Sequence, residues 1–344
     1  SNSNNVAANV TISLPRLGYS FAIVVPANSA ITTNPGTIPK SGVNDARLRY
    51  EGVTDRGILI TSDTPIVAYC HNVATKLYAA SVLFPNPTLG KEYTSLNYLQ
   101  RANFDSAKSY LFVVATEDNT NIEVTLPAGI STINHAAGST FTQILNRGQV
   151  LNLMGKYSNS TGASASFNAN DLSGTLVKSL AVNGVCKPFA MFCGSTKITI
   201  DCNNGGGTSG DNLFQQMMPK QAWGNKFIAI PTVPLSNNYY RILVSDSSSV
   251  VKRNGVALTG LINNYYEYYN GNGSVDVIEA DYPILVAQYM TTKSQCGNGS
   301  IGDPEMVYLS SLQQTIDSIT FVSSPLGNTT SRTVKKRERP TQLR

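Results

Sequence analysis

The sequence predicts an all-β protein built from three related copies of a β-sandwich-like unit. Three observations carry this. Apolar runs are short, alternate with period two, and are broken by Gly, Pro and Asn turn signals at roughly eight- to twelve-residue intervals. No apolar period of 3.6 residues holds for three turns, and residues 211–222 are the best helical candidate. Short signatures also recur in a fixed order. Pro65-Ile-Val-Ala-Tyr-Cys70, Pro188-Phe-Ala-Met-Phe-Cys193 and Pro283-Ile-Leu-Val-Ala-Gln288 share one pattern. Each is followed by a second signature: Leu83-Phe-Pro then Gly90-Lys-Glu-Tyr93, Leu213-Phe-Gln then Gly224-Asn-Lys-Phe227, and Met306-Val-Tyr-Leu309 then Ile319-Thr-Phe321. Repetition at roughly hundred-residue spacing indicates internal duplication. The copies fall at 1–89, 90–223 and 224–316, with an incomplete fourth and a basic tail over 317–344. A pseudo-symmetric arrangement of the copies is the alternative to separate sandwiches.

In chain order, Val10-Thr-Ile-Ser-Leu14 and Tyr19-Ser-Phe-Ala-Ile-Val-Val25 read as two strands around a Pro/Gly break. Residues 34–44 read as loop, 47–50 and 57–61 as strands, and 65–70 as a strand apolar enough to be buried on both faces. In the second copy, Tyr110-Leu-Phe-Val-Val-Ala115 is a strong strand, and the strand 122–126 repeats 10–14. Asn146-Arg-Gly148 reads as a hairpin turn, 158–170 as low-complexity loop, and 172–179 with 188–193 as closing strands. Residues 203–210 form a Gly-rich insertion that lacks the Lys of a phosphate loop. The third copy has Tyr240-Arg-Ile-Leu-Val244, Tyr265-Tyr-Glu-Tyr-Tyr269 and the 275–278 and 283–289 strands. The leading strands 110–115 and 240–244 have no counterpart in the first copy, so that copy is expected to be one strand short. The missing strand would come from the carboxy-terminal segment, a neighbouring molecule or upstream sequence.

Composition narrows the function. In 344 residues only 14% are charged and 41% are hydrophobic, a globular balance rather than a disordered one. The net charge of +5 resides in the tail, where Arg332, Lys335, Lys336, Arg337, Arg339 and Arg344 face only Glu338. Without them the body holds 20 basic and 20 acidic residues, which gives no electrostatic case for nucleic acid. No apolar run is long enough to span a bilayer, and the polar opening Ser1-Asn-Ser-Asn-Asn carries no signal peptide.

Candidate sites are few. Nucleophilic catalysis would need His71 or His135 beside Ser or Cys; His71 follows Cys70, and neighbours on a strand point to opposite faces. No catalytic residue, metal or cofactor is expected. Cys193 and Cys202 bracket a segment of disulfide-loop size, which leaves Cys70, Cys186 and Cys296 sharing at most one further bridge. Glu117 and Asp118 offer oxygen ligands for calcium in a turn that fails the EF-hand pattern. On a strand, Tyr265 and Tyr269 share one face and Tyr266 and Tyr268 the other, so one pair of rings could be presented to a partner. Asn9, Asn159, Asn272, Asn298 and Asn328 head glycosylation sequons. Trp223, the sole Trp, is expected to anchor the junction between the second and third copies.

The succession Asp171-Leu-Ser-Gly-Thr, Pro188-Phe-Ala-Met-Phe, Cys193…Cys202 and Trp223-Gly-Asn-Lys-Phe resembles the amino-terminal domain of IgG-Fc-binding proteins, found in mucin-associated animal proteins and large bacterial surface proteins. Ala115-Thr-Glu-Asp-Asn-Thr-Asn-Ile-Glu-Val-Thr-Leu126 and Gly302-Asp-Pro-Glu-Met-Val-Tyr-Leu309 resemble further signatures, so the likeness spans roughly Val10 to Phe321. The resemblance implies a secreted, non-enzymatic recognition or adhesion module with mucin-type glycoprotein or immunoglobulin partners, and it also points to a Cys193–Cys202 bridge. The alternative expectation is a structural subunit of an extracellular matrix or filament, assembling by strand addition.

Overall fold

The computed structural model describes residues 1–34, 36–102, 104, 106–160, 167–202, 209–232, 235, 237–296 and 301–315. Residues 317–344, with Asn328, and also Asn298 lie outside them. The described chain is all-β, with helix confined to single 3-10 turns. Among the described residues no helix is long and apolar enough to cross a membrane.

The first strands are β1 (Ala8–Leu14), β2 (Tyr19–Val25), β3 (Gly52–Thr54), β4 (Leu59–Ser62), β5 (Ala68–Ala74) and β6 (Leu77–Leu83). β1 and β2 form a hairpin in which Val10 faces Ile23 and Ile12 faces Phe21. The left-handed Gly18, which lacks the Cβ that disfavours that conformation, turns the chain back. β4 pairs the other edge of β1. β5 and β6 form a separate two-stranded ribbon joined through Lys76 at φ 61°. Residues 47–50, expected as a strand, carry no strand pairing; there Arg47 and Arg49 converge on the carboxylate of Asp45.

Next come β7 (Glu92–Thr94), β8 (Arg101–Ala102), β9 (Ser109–Ala115), β10 (Thr120–Thr125), β11 (Thr140–Leu145), β12 (Val150–Met154), β13 (Tyr157–Ser160), β14 (Phe167–Ala169), β15 (Leu176–Leu180), β16 (Phe189–Ile198) and β17 (Asp211–Gln216). One sheet has the order β11-β10-β15-β7 and another β17-β16-β9-β12-β3. Alternate residues of both enter a single buried cluster, including Ile122, Val124 and Val177 from the first and Leu111, Val113 and Met191 from the second. β13 pairs with β14, and β14 with β8, so 158–170 holds strand where the composition suggested only loop. β17 replaces the helix candidate. Its residues are buried on both sides, and such a run gives no helical or strand period to read.

The last strands are β18 (Gly224–Ala229), β19 (Asn238–Val244), β20 (Val251–Arg253), β21 (Val256–Ala257), β22 (Tyr265–Asn270), β23 (Asp276–Met290) and β24 (Glu305–Tyr308). They form one seven-stranded sheet around β23, whose first half pairs with β18 and β20 and whose second half pairs with β19 and β24. A second cluster lies here, with Phe227, Tyr240, Ile242, Ile278 and Val286. Leu285, Ala287, Tyr289, Met306 and Tyr308 project the other way, into the cluster of the preceding sheets.

Candidate binding surface

The aromatic strand β22 does not offer a pair of free rings. Tyr265 and Tyr266 are buried, because β22 is covered on both faces. On one face the Arg241 guanidinium lies 4.6 Å from the centroids of both Tyr98 and Tyr265. On the other, Tyr268 stacks on Tyr240 at 4.9 Å and takes the guanidinium of Arg253 at 4.3 Å. Tyr269 stays partly exposed, but its hydroxyl donates to Asn237 Oδ1 at 2.7 Å and its ring leans on Tyr239. The expected exposed Tyr pair is thus corrected to a packed aromatic layer.

Arg241 is the centre of that layer. It is 3% exposed and donates from Nη1 to Asp171 Oδ2 at 2.5 Å, Asn97 O at 3.0 Å and Ser173 Oγ at 3.0 Å, and from Nε to Glu267 Oε2 at 2.6 Å. Burial opposes its charge, but the carboxylates of Asp171 and Glu267 hold the pKa well above its ordinary value. Asp171, in the Leu-Ser-Gly-Thr signature, therefore fastens β19 to the chain that enters β15.

The disulfide expectation is overturned. Cys202 is bonded to Cys296, and Cys193 is a buried free thiol. The segment after Cys193 is not a loop: β16 continues to Ile198, paired along its length with β9 and β17. At about 3.3 Å per residue an extended run carries its ends far beyond disulfide reach. Burial pushes the Cys193 thiol well above its usual range and that of Cys70 up to about 11. Cys186 is also free.

The Asp118 carboxylate accepts the Arg147 amide at 3.0 Å, while Asn119 at φ 55° donates to Asn146 Oδ1. These contacts tie two turns together, and among the described residues no group of three or more His, Cys, Asp or Glu could hold a metal ion. His135 stacks on Phe141 with centroids 3.6 Å apart and lies 4.0 Å from the buried Glu51 carboxylate. Glu51 in turn accepts from Thr132, Ile133, Asn134 and Met154, and so pins the chain before β3 to the neighbouring sheets. Of the sequons, Asn9 lies exposed on β1 with its amide on Asp63 Oδ2 at 2.6 Å, Asn159 lies on β13, and Asn272 is exposed and accepts the Ser274 hydroxyl at 2.7 Å. Trp223 is buried in the central cluster, its indole N–H donating to Met218 O at 3.1 Å.

Sequence reasoning missed an uncovered apolar face. In the β5–β6 ribbon Tyr69 pairs with Val82 and Val73 with Tyr78, so all four side chains share one face. Their exposures are 45, 38, 41 and 59%. The opposite face, with Cys70, Ala79 and Leu83, packs on Tyr110, Phe192 and Phe214. The run 65–70 was expected to be buried on both faces; it is half-buried on one and exposed on the other, which nothing among the described residues covers. The available signal was the alternation Tyr69, His71, Val73, which the apolar count of the run hides.

A family model described as IgGFc binding protein matches residues 79–343, from within β6 onward. No curated protein and no solved structure matches the chain.

Proposed function

Because the chain belongs to the IgGFc binding protein family, we propose that it is a secreted, non-catalytic recognition or adhesion module whose partners are glycoproteins of mucin or immunoglobulin type. The observation that carries this reading is the family match, which covers most of the chain. The disulfide agrees with an oxidising, extracellular setting. The non-catalytic reading draws support from two sources. Burial holds the Cys70 and Cys193 thiols protonated, and His135 is engaged with Phe141 and Glu51. The test is direct binding of the full chain to immobilised immunoglobulin Fc and to mucin-type glycoprotein, each before and after enzymatic deglycosylation. Saturable binding to one of them is expected, and none to either would overturn the reading.

The same proposal includes three related units, at 1–89, 90–223 and 224–316. The order β17-β16-β9-β12 parallels β24-β23-β19-β22, and β11-β10-β15-β7 parallels β21-β20-β23-β18. β2-β1-β4 and β6-β5 parallel the opening members of the same two orders. Gly90 and Gly224 also occupy matching close approaches. A Cβ on Gly90 would sit 2.3 Å from Pro219 Cβ, and one on Gly224 2.3 Å from Ser311 Cβ. A second reading, a structural subunit that assembles by strand addition, is favoured by one observation: among the described residues β5 pairs with a strand on one edge only.

A further inference from the structure

We propose that the rim formed by β8, Phe104, Lys108, the start of β13 and the end of β16 binds an acidic sugar, an oligosaccharide that bears a carboxylate or a sulfate ester. This names the part of a glycoprotein that the rim would hold, and so rests on the recognition reading above. Neighbouring extended segments gather the groups. The Thr196 amide donates to Lys108 O at 2.9 Å, and the Lys108 amide to Thr196 Oγ1 at 2.8 Å. The Thr199 amide donates to Arg101 O and Gln100 Nε2 to Lys197 O, each at 2.8 Å. The Gly155 amide donates to Ser109 O at 2.9 Å, which brings Lys156 and Tyr157 alongside Lys108.

Two ammonium groups on this rim lie against exposed rings. Lys108 Nζ is 4.0 Å from the centroid of Tyr157, and Lys197 Nζ is 5.8 Å from that of Phe104. The two residues are 39 and 52% exposed. A ring attracts an ammonium through its quadrupole but carries no net charge, so the positive field of both Lys is left uncancelled. Lys178, Lys220 and Lys226, by contrast, each meet a carboxylate. The surrounding sequence adds to that field. Segments 99–109, 155–170 and 195–199 hold Arg101, Lys108, Lys156 and Lys197 against Asp105 alone, on a body that is neutral as a whole. Register shifts fall between Tyr157 and Asn159 in β13 and between Ser195 and Ile198 in β16. Such irregularities re-aim side chains and are common beside binding and active sites.

The chemistry of the ligand follows from these groups. A local excess of cations selects an anion, and the chain's own basic tail offers no complement to it. A Lys ammonium is a point charge with rotatable donors, suited to a single carboxylate or sulfate. The exposed rings add apolar surface on which the C–H face of a sugar ring can rest. Ser106 and Thr196, both exposed, flank Lys108 with hydroxyls that can meet those of a sugar. A peptide of acidic side chains would use the charges and leave the rings and hydroxyls idle.

The test uses the full chain and polyacrylamide carrying sialyllactose, sulfated lactose or plain lactose, with polyglutamate as a fourth probe, read by biolayer interferometry. Saturable binding to one or both acidic sugars is expected, and the pair tells carboxylate from sulfate. The double variant Lys108→Gln, Lys197→Gln should weaken that binding about tenfold, the worth of one charge-assisted contact. Tyr157→Leu keeps both charges and should weaken it about threefold. Lys252→Gln, at an exposed Lys of β20, should leave it unchanged. The inference is overturned if neither acidic sugar binds better than plain lactose, or if the double variant binds as the parent does. It is overturned equally if polyglutamate binds as tightly, which would make the rim a contact for acidic protein. The recognition reading is separable. Mucin bound equally before and after removal of its sialic acid and sulfate keeps that reading and sinks this inference. Binding to the acidic polymers, but to neither Fc nor mucin, keeps the rim's chemistry and sinks the reading.

Discussion

At the scale of single residues, Arg241 shows how a buried charge is held. Its guanidinium is removed from water, and two carboxylates, a carbonyl, a hydroxyl and the rings of Tyr98 and Tyr265 around it offset that desolvation. Arg241→Ala leaves Asp171 buried beside a void with no counter-charge, and should cost about 3–5 kcal/mol. Chemical denaturation of the variant checks this; a midpoint within experimental error of the parent would show that the site relaxes to water. Trp223 was marked in the sequence by being the sole Trp and by preceding Gly-Asn-Lys-Phe. Arg241 was not, since a lone Arg on an apolar strand, Tyr240-Arg-Ile-Leu-Val244, looks like any solvated charge until its partners from 97, 171 and 267 are brought to it.

At the scale of elements, the starts of β17 and β24 converge with β6. The Tyr78 amide of β6 donates to Asp211 Oδ1 at 2.6 Å, Asp303 faces Asp211, and Lys293 is the nearby cation. Burial pushes Asp211 up to about 6 and Glu305 up to about 7. The folded state therefore keeps protons that the unfolded chain releases above the ordinary carboxylate range, so stability falls as pH rises from about 4 to about 7. Asp45, Asp55 and Asp63 work in the opposite sense. Their carboxyls are held low by hydrogen bonds from Arg47, Arg16 and Asn9 respectively, and their contribution fades only in more acid solution. Thermal denaturation should give a lower Tm at about pH 8 than at about pH 5, and Glu305→Gln should flatten that difference. An unchanged slope in the double variant Asp211→Asn, Glu305→Gln would place the effect elsewhere.

At the scale of the whole molecule, the Cys202–Cys296 bond ties the chain beyond β16 to the chain beyond β23 across 94 residues. A loop of that length loses much entropy on closure in the unfolded chain, and the bond is worth about 4–5 kcal/mol in the chain-entropy account. Peptide mapping without reductant should recover Cys202 linked to Cys296 and leave Cys70, Cys186 and Cys193 available to a thiol reagent after denaturation. Reduction should lower Tm by several degrees. A recovered Cys193–Cys202 peptide, or a Tm indifferent to reductant, would contradict the assignment.

The sequence by itself determined what rests on local alternation and local repetition. The β class, the strands around 10–25 and 110–126, the neutrality of the body and the family are all legible there, because period two and turn residues act between near neighbours. Tertiary structure alone decided which strand edges are filled, which cysteines meet and which aromatic faces stay open. β22 is rich in Tyr yet closed by Arg241 and Tyr240, whereas β5 looks like core and, among the described residues, is covered on one face only. Both outcomes depend on what segments distant in sequence place alongside, and no run of residues records its own neighbours.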